Sequence, residues 1–381
     1  MEAVAAAQAE SRPEPGAVEL VENIVNAAMR TGASDIHLDP CGDAARVSFR
    51  LHGRLVAARE LTGGEELVPR SALQRIKVLA KIALGDQRRP LDGQWRAATP
   101  YGEGDMRVAT MPTVAGERLA IRVIPARVPW DSLDALGMSH AHLRSVRLAL
   151  SGAGGVVVAA GKVGAGKSTT MHALLREKSG GGHSVLTIED PVERRVSAYQ
   201  QVEVDERAGL TFACALRGAL RQDPDVLMIG EIRDRDTAEI AVRAGMTGHL
   251  IVTSVHADNP VQAVLRLLEL GVGESYLRDA LRLVLWQRLC PVVCRECAGR
   301  GCGQCAGTGL LGRRAEFSLL EADGIASCIG GRERYPTVGR AGAASRVAEG
   351  SWRRFLAERE EAKGKQAGGS AGVGGADGGT G

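Results

Sequence analysis

The sequence has few aromatic residues, no long hydrophobic run and almost no charge imbalance. Only 3% of its 381 residues are Phe, Trp or Tyr, so few rings are present on which unpaired bases could stack. Lys and Arg total 48 against 45 Asp and Glu, and a net charge of +3 is too small to indicate a nucleic-acid or membrane surface. No stretch approaches the roughly 18 to 20 continuous apolar residues of a membrane span. We therefore expect no nucleic-acid partner.

The start of the chain, MEAVAAAQAESRPEPG, lacks the basic and apolar regions of a signal peptide, and we expect a cytoplasmic protein. In a reducing compartment, cysteines that cluster favour metal binding over disulfides. Cys294 and Cys297 form one C-x-x-C knuckle, and Cys302 and Cys305 form a second. Two such knuckles are typical of a tetrahedral Zn²⁺ site, with four free thiols or one disulfide as the alternative. Cys290 lies outside this spacing and is interpreted as a buried hydrophobe or a spare thiol.

The N-terminal half predicts a small α+β domain. Apolar residues from Leu20 to Met29 share one helical face, and Gly32 is a natural stop for that helix. Short alternating segments between Asp35 and Val123 then flank a helical stretch near Ser71–Leu84. The segment PARVPWDSLDALG, with its two prolines, indicates a linker.

The second half alternates apolar strands with helices, which implies a parallel sheet with helices on both faces. The strand candidates are Gly155–Ala160, Val185–Ile188, Val226–Ile229 and Leu250–Ser254. The predicted organisation is a disordered N-terminus at 1–16, an α+β domain at 17–125, a linker at 126–140, a core at 141–320 with the cysteine knuckle at 290–309, a short helical segment at 321–363 and a disordered Gly-rich tail at 364–381.

A glycine-rich loop, GKVGAGKST, follows the first strand candidate and precedes a helical pattern. It matches the phosphate loop G-x-x-x-x-G-K-S, in which backbone N–H groups surround the β-phosphate of ATP. Lys167 would reach the β and γ oxygens and Ser168 would bind Mg²⁺. A glycine-rich turn with a chance Lys-Ser is the alternative. The predicted nucleotide-binding residues are Gly161, Gly164, Gly166, Lys167, Ser168 and Thr169.

Carboxylates end two of the other strands. Glu231 follows an apolar strand, as expected of an acid that lies near Mg²⁺ at the carboxyl edge of a parallel sheet. A surface Glu after a buried strand is an equal alternative when the strand is considered alone. Glu189 ends a strand in the acidic box TIEDPVE, and we choose it as the base for the attacking water. His256 lies where a strand meets a loop and is suited to sensing the γ-phosphate. His249 lies at the other end of that strand. Taken singly, each of the two histidines is better interpreted as an ordinary hydrogen-bonded residue.

Seven ordered segments together resemble the type II secretion and type IV pilus assembly ATPases. They are GASDIHLDP, VSFRLHGRL, RVATMPTVAGERLAIRVI, GKVGAGKSTT, TIEDPVE, LRQDPDVLMIGEIRD and TGHLIVTSVHADNP. The resemblance covers roughly Val18 to Leu320. It implies a RecA-like P-loop core with a smaller PAS-like N-terminal domain, assembled as a homo-hexamer that drives pilus or pseudopilus assembly.

The resemblance also implies roles for residues. Arg107 and Arg122 stand where the family places arginine fingers, and Arg118 lies beside them. A peripheral position at the inner membrane, through secretion or pilus platform proteins, is implied as well. The Cys-x-x-Cys-x-Gly-Thr-Gly segment is similar to the family's zinc loop in a shortened form.

Three departures from the family pattern bear on activity. Lys162 and Val163 replace a Pro-Thr pair in the loop, Gln94 stands where an Arg is frequent, and HADN replaces the commoner HTND. None removes Lys167, Ser168, Glu189 or Glu231, so we expect hydrolysis. A non-hydrolysing paralogue and a DNA-handling RecA-like ATPase, such as a conjugation or uptake motor, are the alternatives.

Overall fold

The computed structural model describes residues 16–58, 67–85, 88–126, 132–330 and 337–338. Residues 1–15 of the predicted disordered N-terminus, 127–131 of the predicted linker, the predicted tail at 364–381 and most of the predicted segment at 321–363 lie outside these ranges. The chain divides into two compact units. Unit 1 comprises Met1–Val128 and Pro291–Arg313, and unit 2 comprises Pro129–Cys290 and Arg314–Gly381. The cysteine knuckle, predicted at 290–309 within the core, thus falls in unit 1 from Pro291 onward.

Unit 1 is built on an antiparallel sheet of order β3-β2-β1-β7-β6-β5, with β4 paired to β2. Its elements are α1 (Ala17–Thr31), β1 (Asp35–Cys41), β2 (Ala44–Leu51), β3 (Arg54–Ala57), β4 (Leu67–Pro69), α2 (Arg70–Leu79), β5 (Leu91–Thr99), β6 (Gly102–Thr113) and β7 (Gly116–Pro125). Helix α1 buries the predicted apolar face and ends at Gly32, whose φ of 67° is the left-handed conformation that glycine adopts at no steric cost. The predicted first helix is confirmed.

A buried ion pair lies within unit 1. Lys77 on α2 is 1% exposed, and its Nζ donates to Oε1 and Oε2 of Glu117 on β7 at 2.9 and 3.0 Å. A buried ammonium needs such a partner because it has lost its hydration.

Unit 2 is built on a mainly parallel sheet of order β10-β9-β11-β12-β8-β13-β14-β15. Its elements are α3 (His140–Ser151), β8 (Gly155–Ala160), α4 (Lys167–Ser179), β9 (Val185–Glu189), β10 (Gln200–Glu203), α5 (Phe212–Ala219), β11 (Val226–Ile229), α6 (Arg235–Met246), β12 (Leu250–Val255), α7 (Pro260–Glu269), α8 (Glu274–Ala280), β13 (Leu281–Val293), β14 (Leu310–Glu321), α9 (Ala322–Ile329) and β15 (Thr337–Val338). The end of β13 and the start of β14 belong to Pro291–Arg313. Among the described residues, no helix is both long enough and apolar enough to cross a bilayer.

The core of unit 2 lies on both faces of the sheet. On β8, Val156 and Val158 enter one hydrophobic cluster, while Val157 and Ala159 enter the other. Side chains alternate across a strand, so a strand buried on both faces is apolar throughout, as the sequence of β8 is. All four strands predicted from apolar runs are present and parallel. Their carboxyl ends therefore meet at one edge of the sheet, where the predicted acids and loop follow them.

Candidate active site

The glycine-rich loop joins β8 to the N-terminus of α4. Gly161, Gly164 and Gly166 have φ values of 152°, 73° and 87°, and these positive values let the backbone turn sharply ahead of the helix. A Cβ at Gly161 would lie 2.5 Å from the carbonyl oxygen of Gln287 on β13. The Gln287 amide also donates to the carbonyl of Ala165 at 2.7 Å. Gln287, which the sequence interpretation missed, thus fixes the loop from the neighbouring strand.

Lys167, the first residue of α4, lies against its own loop. Its Nζ donates to the carbonyls of Gly161 at 2.9 Å and Lys162 at 3.1 Å, and lies 3.4 Å from Nδ1 of His256. Burial lowers the pKa of Lys167 from its ordinary value, and the charge of Glu231 offsets part of that effect. The structure therefore brings the predicted lysine, histidine and second acid together.

Glu231, just beyond β11, lies within a chain of charged groups. Its Oε2 is 3.6 Å from Nε2 of His256, and its Oε1 accepts a hydrogen bond from Arg233. Arg233 also lies 3.3 Å from Asp190 at the end of the neighbouring β9. The sequence interpretation missed Arg233, although its place in the segment GEIRD, two residues after Glu231, could have drawn attention to it.

Hard oxygen donors suited to Mg²⁺ are present at the same sheet edge. Ser168 and Thr169 lie half-buried in the first turn of α4, directly after the loop. The Glu231 carboxylate follows β11, and β12 alone separates β11 from β8 in the sheet. These residue types fit a magnesium ion.

Glu189 ends β9 and is 5% exposed. Its Oε1 accepts hydrogen bonds from Thr187 Oγ1 at 2.8 Å and Gln201 Nε2 at 3.0 Å. Its Oε2 lies 3.6 Å from Nε2 of His172 on α4. Burial raises the pKa of Glu189, but His172, Gln201 and Thr187 lower it more, and the pKa lies below its ordinary value. Glu189 is thus an ionised carboxylate held inside the protein, which is the state that a proton acceptor needs.

The departures in the loop lie on its outer side. Lys162 is 80% exposed and makes an ion pair with Asp258 at 3.2 Å, so the added cation has a neighbouring anion. Val163 is exposed as well.

His249, at the far end of β12, lies 3.2 Å from the carbonyl oxygen of Ala244. It is therefore the ordinary hydrogen-bonded histidine of the two.

Arg107 and Arg122 are directly opposite each other on β6 and β7 of unit 1. Directly paired residues project from the same face of an antiparallel sheet. Arg122 Nε lies 3.5 Å from Asp35, and Arg118 makes its own ion pair with Asp39 at 2.7 Å. All three arginines belong to unit 1, whereas the glycine-rich loop and both acids belong to unit 2.

The four cysteines of the knuckles form a compact cluster in unit 1, with all Sγ atoms within 4.8 Å of one another. The Sγ pairs Cys294–Cys302, Cys297–Cys305 and Cys302–Cys305 are 3.8, 3.8 and 3.7 Å apart. A tetrahedron with Zn–S bonds of about 2.3 Å has edges of about 3.8 Å. The residues therefore fit a zinc ion. Cys290 is not a member of this cluster.

Neighbouring groups favour the thiolate form of one cysteine of the cluster, Cys305. Burial raises the pKa of Cys305, but the N–H groups of Cys302 and Gly309 and the side chains of Cys297 and Cys302 lower it more, to about 6. The N–H of Gly309 lies 3.2 Å from that Sγ. A thiolate is the form that binds a metal ion.

Fold and site together define a P-loop nucleotide-binding protein of the α/β class. The chain belongs to the type II/IV secretion system protein family, whose model matches residues 11–335. It is 35% identical over 314 residues to the type II secretion system protein HxcR of Pseudomonas aeruginosa, covering 80% of this chain and 66% of that protein. It is 36% identical over 288 residues to the type II secretion system ATPase E of Vibrio cholerae, covering 76% and 57%. The predicted family resemblance is confirmed.

A third relative is the type IV pilus assembly ATPase TfpB of Acinetobacter baylyi, 35% identical over 281 residues, which cover 74% of this chain and 48% of that protein. The chain thus spans about half to two thirds of the length of these relatives.

Two solved structures share the fold. The pilus retraction motor PilT with bound ADP gives a TM-score of 0.60 at 23% identity, covering 89% of each chain. The Legionella pneumophila ATPase DotB gives 0.64 at 21% identity, covering 84% of this chain and 88% of that one. The predicted RecA-like α/β fold is confirmed.

Proposed function

We propose that this chain hydrolyses ATP as a motor of a type II secretion or type IV pilus machine. The proposal rests on one observation: beside the phosphate loop, His256 contacts both Lys167 and Glu231. The buried carboxylate of Glu189 lies at the end of β9, the strand paired with β11. Relatives named as secretion and pilus assembly ATPases support it.

In this mechanism the chain's own groups bind the phosphates and move a proton. Backbone N–H groups of Gly161 to Gly166 surround the β-phosphate, and Lys167 exchanges its loop carbonyls for β and γ oxygens. Ser168 and Glu231 would hold Mg²⁺, which would neutralise charge at the phosphates. Glu189 accepts the proton of the attacking water, and His256 donates to the γ-phosphate.

Arginines of unit 1 are the proposed fingers. Arg107 and Arg122 stabilise charge on the transferred phosphoryl group, as arginine fingers do. The proposed division is a PAS-like domain at 17–125, a linker at 126–140 and a RecA-like core at 141–320. A homo-hexamer would let such domains close over nucleotide in a repeated order.

The proposed setting is the cytoplasmic face of the inner membrane, where platform proteins of the machine would hold the ring. The work done is assembly of a pilus or pseudopilus. One structural zinc ion bound by Cys294, Cys297, Cys302 and Cys305 belongs to the proposal, supported by the tetrahedral spacing of their sulfurs.

Steady-state hydrolysis by the purified chain tests the proposal. We expect turnover that requires Mg²⁺ and is lost in Lys167→Ala, because the β/γ charge is left unpaired. Glu189→Gln should bind ATP with kcat reduced about 10²- to 10⁴-fold, the usual value of a positioned base. Glu269→Gln, on the exposed side of α7, is the matched control and should retain wild-type kcat.

Two results would contradict the proposal. ATP binding without turnover by the wild-type chain would favour the non-hydrolysing paralogue. DNA-stimulated turnover, with DNA binding that weakens as salt rises, would favour the DNA-handling motor.

A further inference from the structure

A buried histidine and tyrosine lie behind Glu189 and belong to none of the sequence motifs. His172 is on α4, one turn after Ser168, and is 3% exposed. Tyr199, just before β10, is 7% exposed. The Tyr199 hydroxyl lies 2.5 Å from Nδ1 of His172, and the two rings are stacked with centroids 6.0 Å apart. Their contact places the imidazole edge that carries Nε2 toward Glu189.

The contacts on its two sides determine which ring nitrogen of a neutral His172 carries hydrogen. A phenol hydroxyl can donate or accept, but the ionised Glu189 carboxylate can only accept, so Nε2 is the donor on that side and Nδ1 accepts from Tyr199. The proton of the neutral ring then lies on Nε2. A second proton on the ring would leave Nε2 protonated as well. In either state Nε2–H is a donor.

The donor Nε2–H of His172 faces the Glu189 carboxylate. Nε2 of His172 has no hydrogen-bond partner among the described residues, and it lies 3.6 Å from Oε2 of Glu189. Oε1 is already held by Thr187 and Gln201. Contacts to a base are often this long before substrate binds and shorten in the complex. The carboxylate is thus held at one oxygen and faced by the Nε2–H of His172 at the other.

We propose that His172, with its tautomer fixed by Tyr199, is a positioning residue that orients the Glu189 carboxylate for proton transfer. This inference rests on the proposed role of Glu189 as the base. Because His172 lies on the helix that begins with Lys167, the contact also connects the phosphate-binding end of α4 to the base on β9. Tyr199 in turn sets the ring orientation, as a third group does behind other acid–base pairs.

Three variants separate positioning from packing. Tyr199→Phe keeps the ring and removes the hydroxyl, His172→Leu removes the donor, and His172→Gln retains an N–H near the position of Nε2. We expect Tyr199→Phe and His172→Leu to lower kcat about 10- to 100-fold, the range found for groups that orient a metal ligand, with KM for ATP within about two-fold of wild type. His172→Gln should recover most of the kcat that Leu loses.

Matched controls lie on exposed parts of unit 2. Tyr276→Phe on α8 and His183→Leu after α4 make the same chemical changes and should retain wild-type kcat. Thermal unfolding of every variant shows which of them is folded at the assay temperature. If His172→Leu does not fold, Tyr199→Phe, which deletes one oxygen atom, decides the kinetic test.

A spectroscopic measurement tests the tautomer without reference to hydrolysis. In chain labelled with ¹⁵N-histidine, the signals absent from His172→Gln identify His172. We expect Nε2 to carry hydrogen in wild type and a mixture of tautomers in Tyr199→Phe. The proposal is wrong if His172 in the wild-type chain carries hydrogen on Nδ1 alone. It is also wrong if Tyr199→Phe has the kcat of wild type while Glu189→Gln has a reduced kcat. If Glu189→Gln has the kcat of wild type, Glu189 is not the base, and the measured tautomer of His172 is unaffected by that result.

Discussion

At the scale of single residues, two buried charges of this protein have partners that lie far away in sequence. Lys77 meets Glu117 across 40 residues, and the Glu189 carboxylate is met by Gln201 from the next strand. Each pair replaces water that the charged group lost on folding. No motif of the sequence indicates that Lys77 pairs with Glu117 or that Gln201 contacts Glu189.

The Lys77–Glu117 pair predicts a large effect on stability. Glu117→Gln leaves an ammonium buried without its counter-charge, and we expect the free energy of unfolding of unit 1 to fall by about 3–5 kcal/mol. Hydrogen exchange of amides in β1 and β7 reports that free energy. Glu103→Gln, which removes the partner of the exposed Arg96, should leave exchange nearly unchanged. Equal exchange in Glu117→Gln and wild type would show that the pair adds no stability.

At the scale of elements, the sequence predicts those parts of the site that local pattern determines. β8, β9, β11 and β12 are short apolar runs, and the loop and both acids follow directly from them. Gln287 and His172 could not be predicted, because a single polar residue in a helix or strand carries no periodicity. Arg233 lies in the segment between β11 and α6, where only its place in GEIRD indicated a role. Their roles arise only when packing brings distant segments together.

The cysteine cluster between β13 and β14 predicts a metal content. Elemental analysis of protein purified without added metal should give about one zinc per chain, and Cys297→Ser should lower it because three thiolates bind zinc less tightly than four. Cys214→Ser on α5, an exposed cysteine outside the cluster, is the control. Zinc content that is equal in Cys297→Ser and wild type would exclude Cys297 as a ligand.

At the scale of the whole molecule, the proposed chemistry is divided between two units. The arginines proposed as fingers belong to unit 1, and the loop, Lys167 and the acids belong to unit 2. An arginine stabilises phosphoryl charge only when it reaches the nucleotide. Assembly and closure are therefore the steps on which turnover should depend.

Specific activity should rise with protein concentration as rings form. Arg107→Ala should reduce turnover about 10³- to 10⁵-fold with a modest loss of ATP affinity, as expected for a finger. Arg96→Ala, on the neighbouring β5, is the matched control and should behave as wild type. Turnover is measured against concentration, with sedimentation to size the species. Full activity in a monomer, or in Arg107→Ala, would refute the dependence on assembly.

The discontinuous make-up of unit 1 has a consequence for synthesis on the ribosome. Pro291–Arg313 is made only after the 162 residues from Pro129 to Cys290, a delay on the order of ten to thirty seconds at the usual rates of elongation. Until then the nascent N-terminal part lacks Ala306, which packs against its core, and the Thr308 carbonyl, which accepts a hydrogen bond from Arg54 at 2.6 Å. Unit 1 therefore cannot complete its native contacts until Pro291–Arg313 has been synthesised.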